Sequence, residues 1–110
     1  MAVDDLGVID IEVPYENGDL RMVIIDGLAW TNDEVITDHL NALLRKIKFY
    51  LDIAESDTFR QKYPNTTLEN ITIEIVLRYP PPLGVEDFLK QYAGTLAPDG
   101  ITLVYNVHAG

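Results

Sequence analysis

The chain predicts an α+β fold: a two-layer α/β sandwich of order ββαβαβ, with a four-stranded mixed sheet and two helices on one face. Three observations carry that reading. Asn17-Gly18 separates two runs that alternate apolar and polar residues, the pattern of a tight hairpin. Two further alternating runs, over 71–78 and 101–108, each follow a segment whose apolar residues recur three and four apart. Strands with one apolar face and helices with one apolar stripe bury both by stacking in two layers.

Residues 1–6 read as a disordered acidic tail. Ile9, Ile11 and Val13 then alternate with Asp10 and Glu12 as the first strand, and Leu20 to Asp26 is the returning strand. With Asn17-Gly18 as a two-residue loop, Tyr15 faces Leu20, Val13 faces Met22 and Ile11 faces Ile24. Glu12 with Val23 and Asp10 with Ile25 then take the other face. Pro14 has no amide hydrogen to donate, which places this strand at a sheet edge.

The stretch from Ile25 to Glu55 organises the rest. Thr31-Asn32-Asp33-Glu34 fits a capping box with Thr31 as N-cap, and Trp30 and Val35 fall at the two positions of a hydrophobic staple. Ile36, Leu40, Leu43, Ile47, Tyr50 and Ala54 form one helical stripe, widened by Leu44 and Leu51 on one side and by Val35, Ala42, Phe49 and Ile53 on the other. The polar arc is narrow, so this helix is expected to touch its sheet and also a second helix or another subunit. His39 reads as a boundary residue between the two arcs.

Ser56-Asp57 begins a short helical turn through Phe59 and Tyr63, stopped before Pro64. Ile71, Ile73, Ile75 and Leu77 alternate with Thr72, Glu74, Val76 and Arg78 as the third strand, ended by Tyr79-Pro80-Pro81-Pro82. Val85, Phe88, Leu89, Tyr92, Ala93 and Leu96 share one face of a second helix, and Pro98-Asp99-Gly100 stops it. Ile101, Leu103, Tyr105 and Val107 mark the last strand. Right-handed crossovers make strands two, three and four parallel, in spatial order 1-2-3-4, with strand one antiparallel to strand two.

Several of these residues together resemble a family of small bacterial proteins known only as a domain of unknown function. They are Val8-Ile9-Asp10, Ile25-Asp26-Gly27-Leu28-Ala29-Trp30, Leu43-Leu44-Arg45-Lys46-Ile47, Tyr50-Leu51, Tyr63-Pro64 and Tyr79-Pro80-Pro81. The likeness spans most of the chain, and its most specific part is the Asp-x-Leu-x-Trp turn before the long helix. In the resembling family a His often stands where this chain has Gly27, so any role of that His is missing here. The resemblance implies one domain and supplies no activity.

At 110 residues the chain is read as a single domain, 1–110, long enough for a real core. Its apolar runs are strand-sized, which argues against a membrane span. The start, Met-Ala-Val-Asp-Asp, lacks the basic and apolar regions of an export signal, so a cytoplasmic location is expected. The absence of cysteine excludes disulfides and thiolate chemistry. A net charge of −10 argues against nucleic acid and anionic membranes. Nine acids but only Arg21 among the bases fall in residues 1–34, an asymmetry that could steer a basic partner and more commonly confers solubility.

Familiar site chemistries find little support. The single serine, Ser56, has no Gly-rich elbow, His39 and His108 lie far apart, and no His-x-x-x-His spacing suggests a metal. Asp4, Asp5, Asp10 and Glu12 read as a solvated acidic edge rather than a calcium site, and Pro80-Pro81-Pro82 as a rigid connection. No catalytic residue, metal or cofactor is expected.

Two surfaces stand out. The parallel topology brings Asp26, Trp30, Tyr79 and His108 to the C-terminal strand edge, where open α/β sheets bind ligands and helix N-termini favour anions. The bland alternative makes Trp30 a core staple. The outward sheet face carries Val23, Ile25, Val76 and Val104, which with Phe49 and Ile53 on the long helix form a candidate interface. The first expectation is therefore a non-enzymatic interaction domain that binds a protein partner or itself, as a homo-oligomer. The alternatives are an immunity-type protein whose acidic hairpin neutralises a basic toxin, and a small anion or small-molecule binder at the strand edge.

Overall fold

A computed structural model of the chain describes residues 11–108. Its strands are β1 (Ile11–Pro14), β2 (Leu20–Asp26), β3 (Ile71–Leu77) and β4 (Thr102–Val107), and its helices are α1 (Asp33–Ala54), α2 (Asp57–Lys62) and α3 (Leu83–Leu96). The sheet order is β1-β2-β3-β4, with β1 antiparallel to β2 and the other three parallel, as the crossover rule requires. Residues 1–6, Ile9 and Asp10, where a tail and the start of the first strand are expected, lie outside the described residues.

One layer of side chains joins sheet and helices. Leu20, Met22 and Ile24 from β2, Ile71, Ile73, Ile75 and Leu77 from β3, and Leu103 from β4 point inward at alternate positions. They pack in a single cluster with Leu43, Ile47 and Tyr50 of α1 and with Val85, Leu89 and Leu96 of α3, so both long helices lie on the same side of the sheet. The Tyr50 hydroxyl, fully buried, donates to the Val23 carbonyl at 2.9 Å and ties α1 to the β2 backbone. Ser56 caps α2 by accepting from the Phe59 amide at 3.2 Å, as its sequence position implied.

The hairpin register differs by one residue from the expected one. Ile11 faces Val23, Glu12 faces Met22, Val13 faces Arg21 and Pro14 faces Leu20. The cause is a loop of three residues rather than two. Tyr15 donates to the Asp19 carbonyl at 2.8 Å and Gly18 to the Tyr15 carbonyl at 3.1 Å, with Gly18 at φ +93°. This is a turn followed by a left-handed glycine, the usual three-residue hairpin. A one-residue slip exchanges faces, so Ile11 and Val13 turn outward and Glu12 turns toward the helices. There Glu12 accepts from the Tyr63 hydroxyl at 2.6 Å and from the Lys62 ammonium at 3.4 Å. The loop tip is fixed from the other side, because Thr66 Oγ1 donates to the Gly18 carbonyl at 2.7 Å.

The start of α1 also differs. Asn32, not Thr31, is the N-cap, and its side-chain oxygen accepts from the Val35 amide at 3.0 Å. Trp30 therefore stands two residues before the cap and does not act as a staple residue. The buried stripe of α1 runs through His39, Ala42, Leu43, Lys46, Ile47, Tyr50 and Ala54. His39 belongs to the packed face and not to the boundary assigned to it. It lies three residues after Ile36 and four before Leu43, squarely on the helical repeat of the core.

Candidate functional site

Asp26 ends β2 at an inward position, continuing the alternation of Leu20, Met22 and Ile24. A carboxylate placed there needs partners, because an unpaired buried charge is costly. It has two. Oδ1 accepts from the Leu28 amide at 3.1 Å, which shapes the chain leaving the strand, and Oδ2 lies 2.5 Å from His39 Nε2. Both side chains are essentially excluded from solvent, at 0% and 1% exposure. An ionised carboxylate only accepts, so the proton between them belongs on Nε2.

Trp30 completes the group. Its indole lies flat on the His39 ring, with centroids 3.6 Å apart and planes inclined by 14°. Its Nε1–H donates to the Tyr79 carbonyl at 3.3 Å, linking the β2–α1 turn to the segment after β3. The Asp26 carbonyl accepts the Arg78 amide at 2.9 Å, a second tie between the same segments. Within this well-tied arrangement His39 Nδ1 is the exception. It is buried and has no hydrogen-bond partner among the described residues.

Beside His39 lies a cleft of about 370 Å³, lined by Leu28, Ala29, Thr31, Val35, Asp38, His39 and Ala42. Its walls are mainly apolar, with a hydroxyl, a carboxylate and an imidazole among them. Ligand sites are commonly built this way, and the volume falls in the range of roughly 300–1,000 Å³ that small ligands occupy.

Of the residues expected at the strand edge, Asp26, Trp30 and Tyr79 are brought together, Tyr79 through its backbone carbonyl and with a partly exposed ring. His108 reaches the same edge at the C-terminal end of β4, two strands across from Asp26. Its amide donates to the Leu77 carbonyl at 2.8 Å, and its side chain influences Glu74 on the opposite sheet face. His39 was not among the expected site residues. The signal that could have found it was the inward carboxylate at Asp26, one strand-to-helix turn away from a histidine on the core repeat.

On the outward sheet face Val23 is buried, while Ile25, Val76 and Val104 are half-buried, as are Phe49 and Ile53 on α1. Polar residues cross that face. Arg21 donates to Glu74 at 2.9 Å and Asn106 to the other Glu74 oxygen at 2.5 Å. The Arg21 hydrogen bond, with further help from Asn106, holds the Glu74 carboxyl below its ordinary range. In the hairpin, Asp19 accepts from Asn17 and Asn70, both at 3.0 Å, and the charge of Glu12 holds the Lys62 ammonium above its ordinary value. Two acids of the hairpin are thus engaged internally.

A family model, described as a family of unknown function, DUF6572, matches residues 1–109. The chain belongs to the DUF6572 family. No curated protein and no solved structure matches it. Among the described residues of this DUF6572 chain, no helix is long and apolar enough to cross a membrane, and no three His, Cys, Asp or Glu side chains gather as metal ligands.

Proposed function

We propose that this DUF6572 chain is a binding domain that takes a small, largely apolar molecule in the cleft between the β2–α1 turn and α1. One observation carries the reading: His39, paired with buried Asp26 and held under Trp30, lines that apolar cleft while its buried Nδ1 has no partner among the described residues. Buried polar atoms are almost always hydrogen-bonded, and a lone exception next to a cleft is where a ligand group would bond. Trp30 is the only tryptophan, so its fluorescence reports on this site alone. A fragment screen followed by indole emission and by the Trp30 indole NMR signal tests the proposal. Hits that shift both and compete with one another support it, and a screen in which Trp30 never responds refutes it.

A separate observation favours a protein-interaction domain. Leu28, Val35, Tyr79, Leu83 and Val107, at 39%, 38%, 40%, 73% and 41% exposure, all lie around the C-terminal strand edge. Clustered apolar side chains on a surface are a common mark of a partner interface. Self-association through this end predicts a concentration-dependent mass in sedimentation equilibrium that Leu83→Asp abolishes. A monomer at every concentration rejects self-association.

A further inference from the structure

We infer that the ligand of this cleft presents a cationic hydrogen-bond donor, an apolar primary amine being the simplest case. The inference rests on the binding reading above and names the chemical class that the cleft selects. Asp26 fixes the proton of His39 on Nε2, and the neutral ring then offers a lone pair at Nδ1. The doubly protonated ring would instead bury a charged N–H with nothing to accept it, which is the more expensive arrangement. The group that satisfies Nδ1 is therefore a donor.

The surroundings favour positive charge on that donor. Asp38 lines the same cleft and is exposed at its mouth. Asp33 and Glu34 occupy the first turn of α1. They oppose the partial positive charge that would otherwise make this helix end attractive to anions. Two of the amides that might have bound an anion are already taken, Val35 by the Asn32 side chain and Ile36 by the Asn32 carbonyl at 2.8 Å. Nδ1 is buried, so an ammonium must enter past the cleft wall to donate to it; Asp38 then supplies the counter-charge, and the apolar body rests on Leu28, Ala29, Val35 and Ala42.

The test uses three probes that share an arylalkyl body: phenethylamine, phenethyl alcohol and hydrocinnamate. Each is titrated into the full chain with Trp30 emission and the Trp30 indole NMR signal as readouts. The amine is expected to bind at least about threefold more tightly than the alcohol, as an exposed charge pair implies, and the carboxylate is expected not to saturate. Asp38→Asn keeps the shape of the cleft and should erase the difference between amine and alcohol. Equal binding of amine and alcohol to the parent chain, or tighter binding of the carboxylate, overturns the inference and leaves the binding site standing. If none of the three moves either Trp30 signal while other apolar compounds do, the inference again falls alone. If no compound of any class moves them, the binding reading falls with it.

Discussion

His39 Nε2 meets Asp26 Oδ2 at 2.5 Å across the junction of strand β2 and helix α1, with both side chains out of contact with water. Removing His39 strands a desolvated carboxylate, a loss of roughly 3–5 kcal/mol, and removing Asp26 strands a buried imidazole N–H, a loss of roughly 1–3 kcal/mol. His39→Leu is therefore expected to destabilise the chain more than Asp26→Leu in urea unfolding. The double variant should cost clearly less than their sum, because the second substitution removes the group that the first one stranded.

Asn32 caps α1 where Thr31 was expected to, and its side-chain oxygen accepts from the Val35 amide. Asn32→Ala should cost about 1 kcal/mol of stability. Thr31→Ala should stay within about 0.5 kcal/mol, as a surface change away from any cap does. Chemical denaturation of the two variants side by side checks the order.

Gly18 has φ +93°, and a Cβ there would stand 2.8 Å from the Asn65 carbonyl oxygen. Gly18→Ala therefore meets both backbone strain and a clash with main chain, and a loss of roughly 1–3 kcal/mol is expected from thermal unfolding. Gly27 has nothing near its Cβ position and ordinary φ, so Gly27→Ala serves as the tolerated control.

Glu74 titrates below the ordinary carboxylate range because it accepts from Arg21 and, secondarily, from Asn106. A carboxyl depressed in the folded state adds stability above its unfolded pKa and loses it as pH falls through the lower folded value. Stability should therefore decline on acidification through and below the normal glutamate range. Glu74→Gln should lower stability near neutral pH and flatten that part of the profile, measured by denaturant midpoints from pH 7 down to about pH 3.

Tyr50 buries its hydroxyl completely and donates it to the Val23 carbonyl. Tyr50→Phe keeps the ring packing and is expected to cost about 1 kcal/mol, the net worth of one internal hydrogen bond.

The sheet order, its parallel and antiparallel pairings and the two long helices were legible because each rests on a strong period. Ile71, Ile73, Ile75 and Leu77 alternate cleanly, and Leu43, Ile47, Tyr50 and Ala54 keep helical spacing. The hairpin register was not legible, because Asn-Gly suits both a two-residue loop and the second half of a three-residue one. That choice depends on the Tyr15–Asp19 closing bond, which no local pattern announces. Asp26, Trp30 and Tyr79 were placed together by topology alone. His39 escaped because its burial depends on a partner on another element, and polarity by itself argued for the helix boundary. Lys46 shows the same effect, since it is fully buried while only its apolar neighbours were assigned to the packed stripe.

The pairing of β2 with β3 carries a kinetic consequence. Leu20 lies beside Ile71 and Asp26 beside Leu77, and all of α1 and α2 intervenes between the partners. The Tyr15–Asp19 reversal closes a short loop and forms quickly, but the central ladder must wait until a long chain segment has been brought around. Refolding should then be slow for a domain of this size, and the Asp26–His39 lock should be among the last contacts made. Until it closes, Trp30 lacks its stacking partner, so the recovery of its native emission in stopped-flow would mark the end of folding rather than the collapse that precedes it.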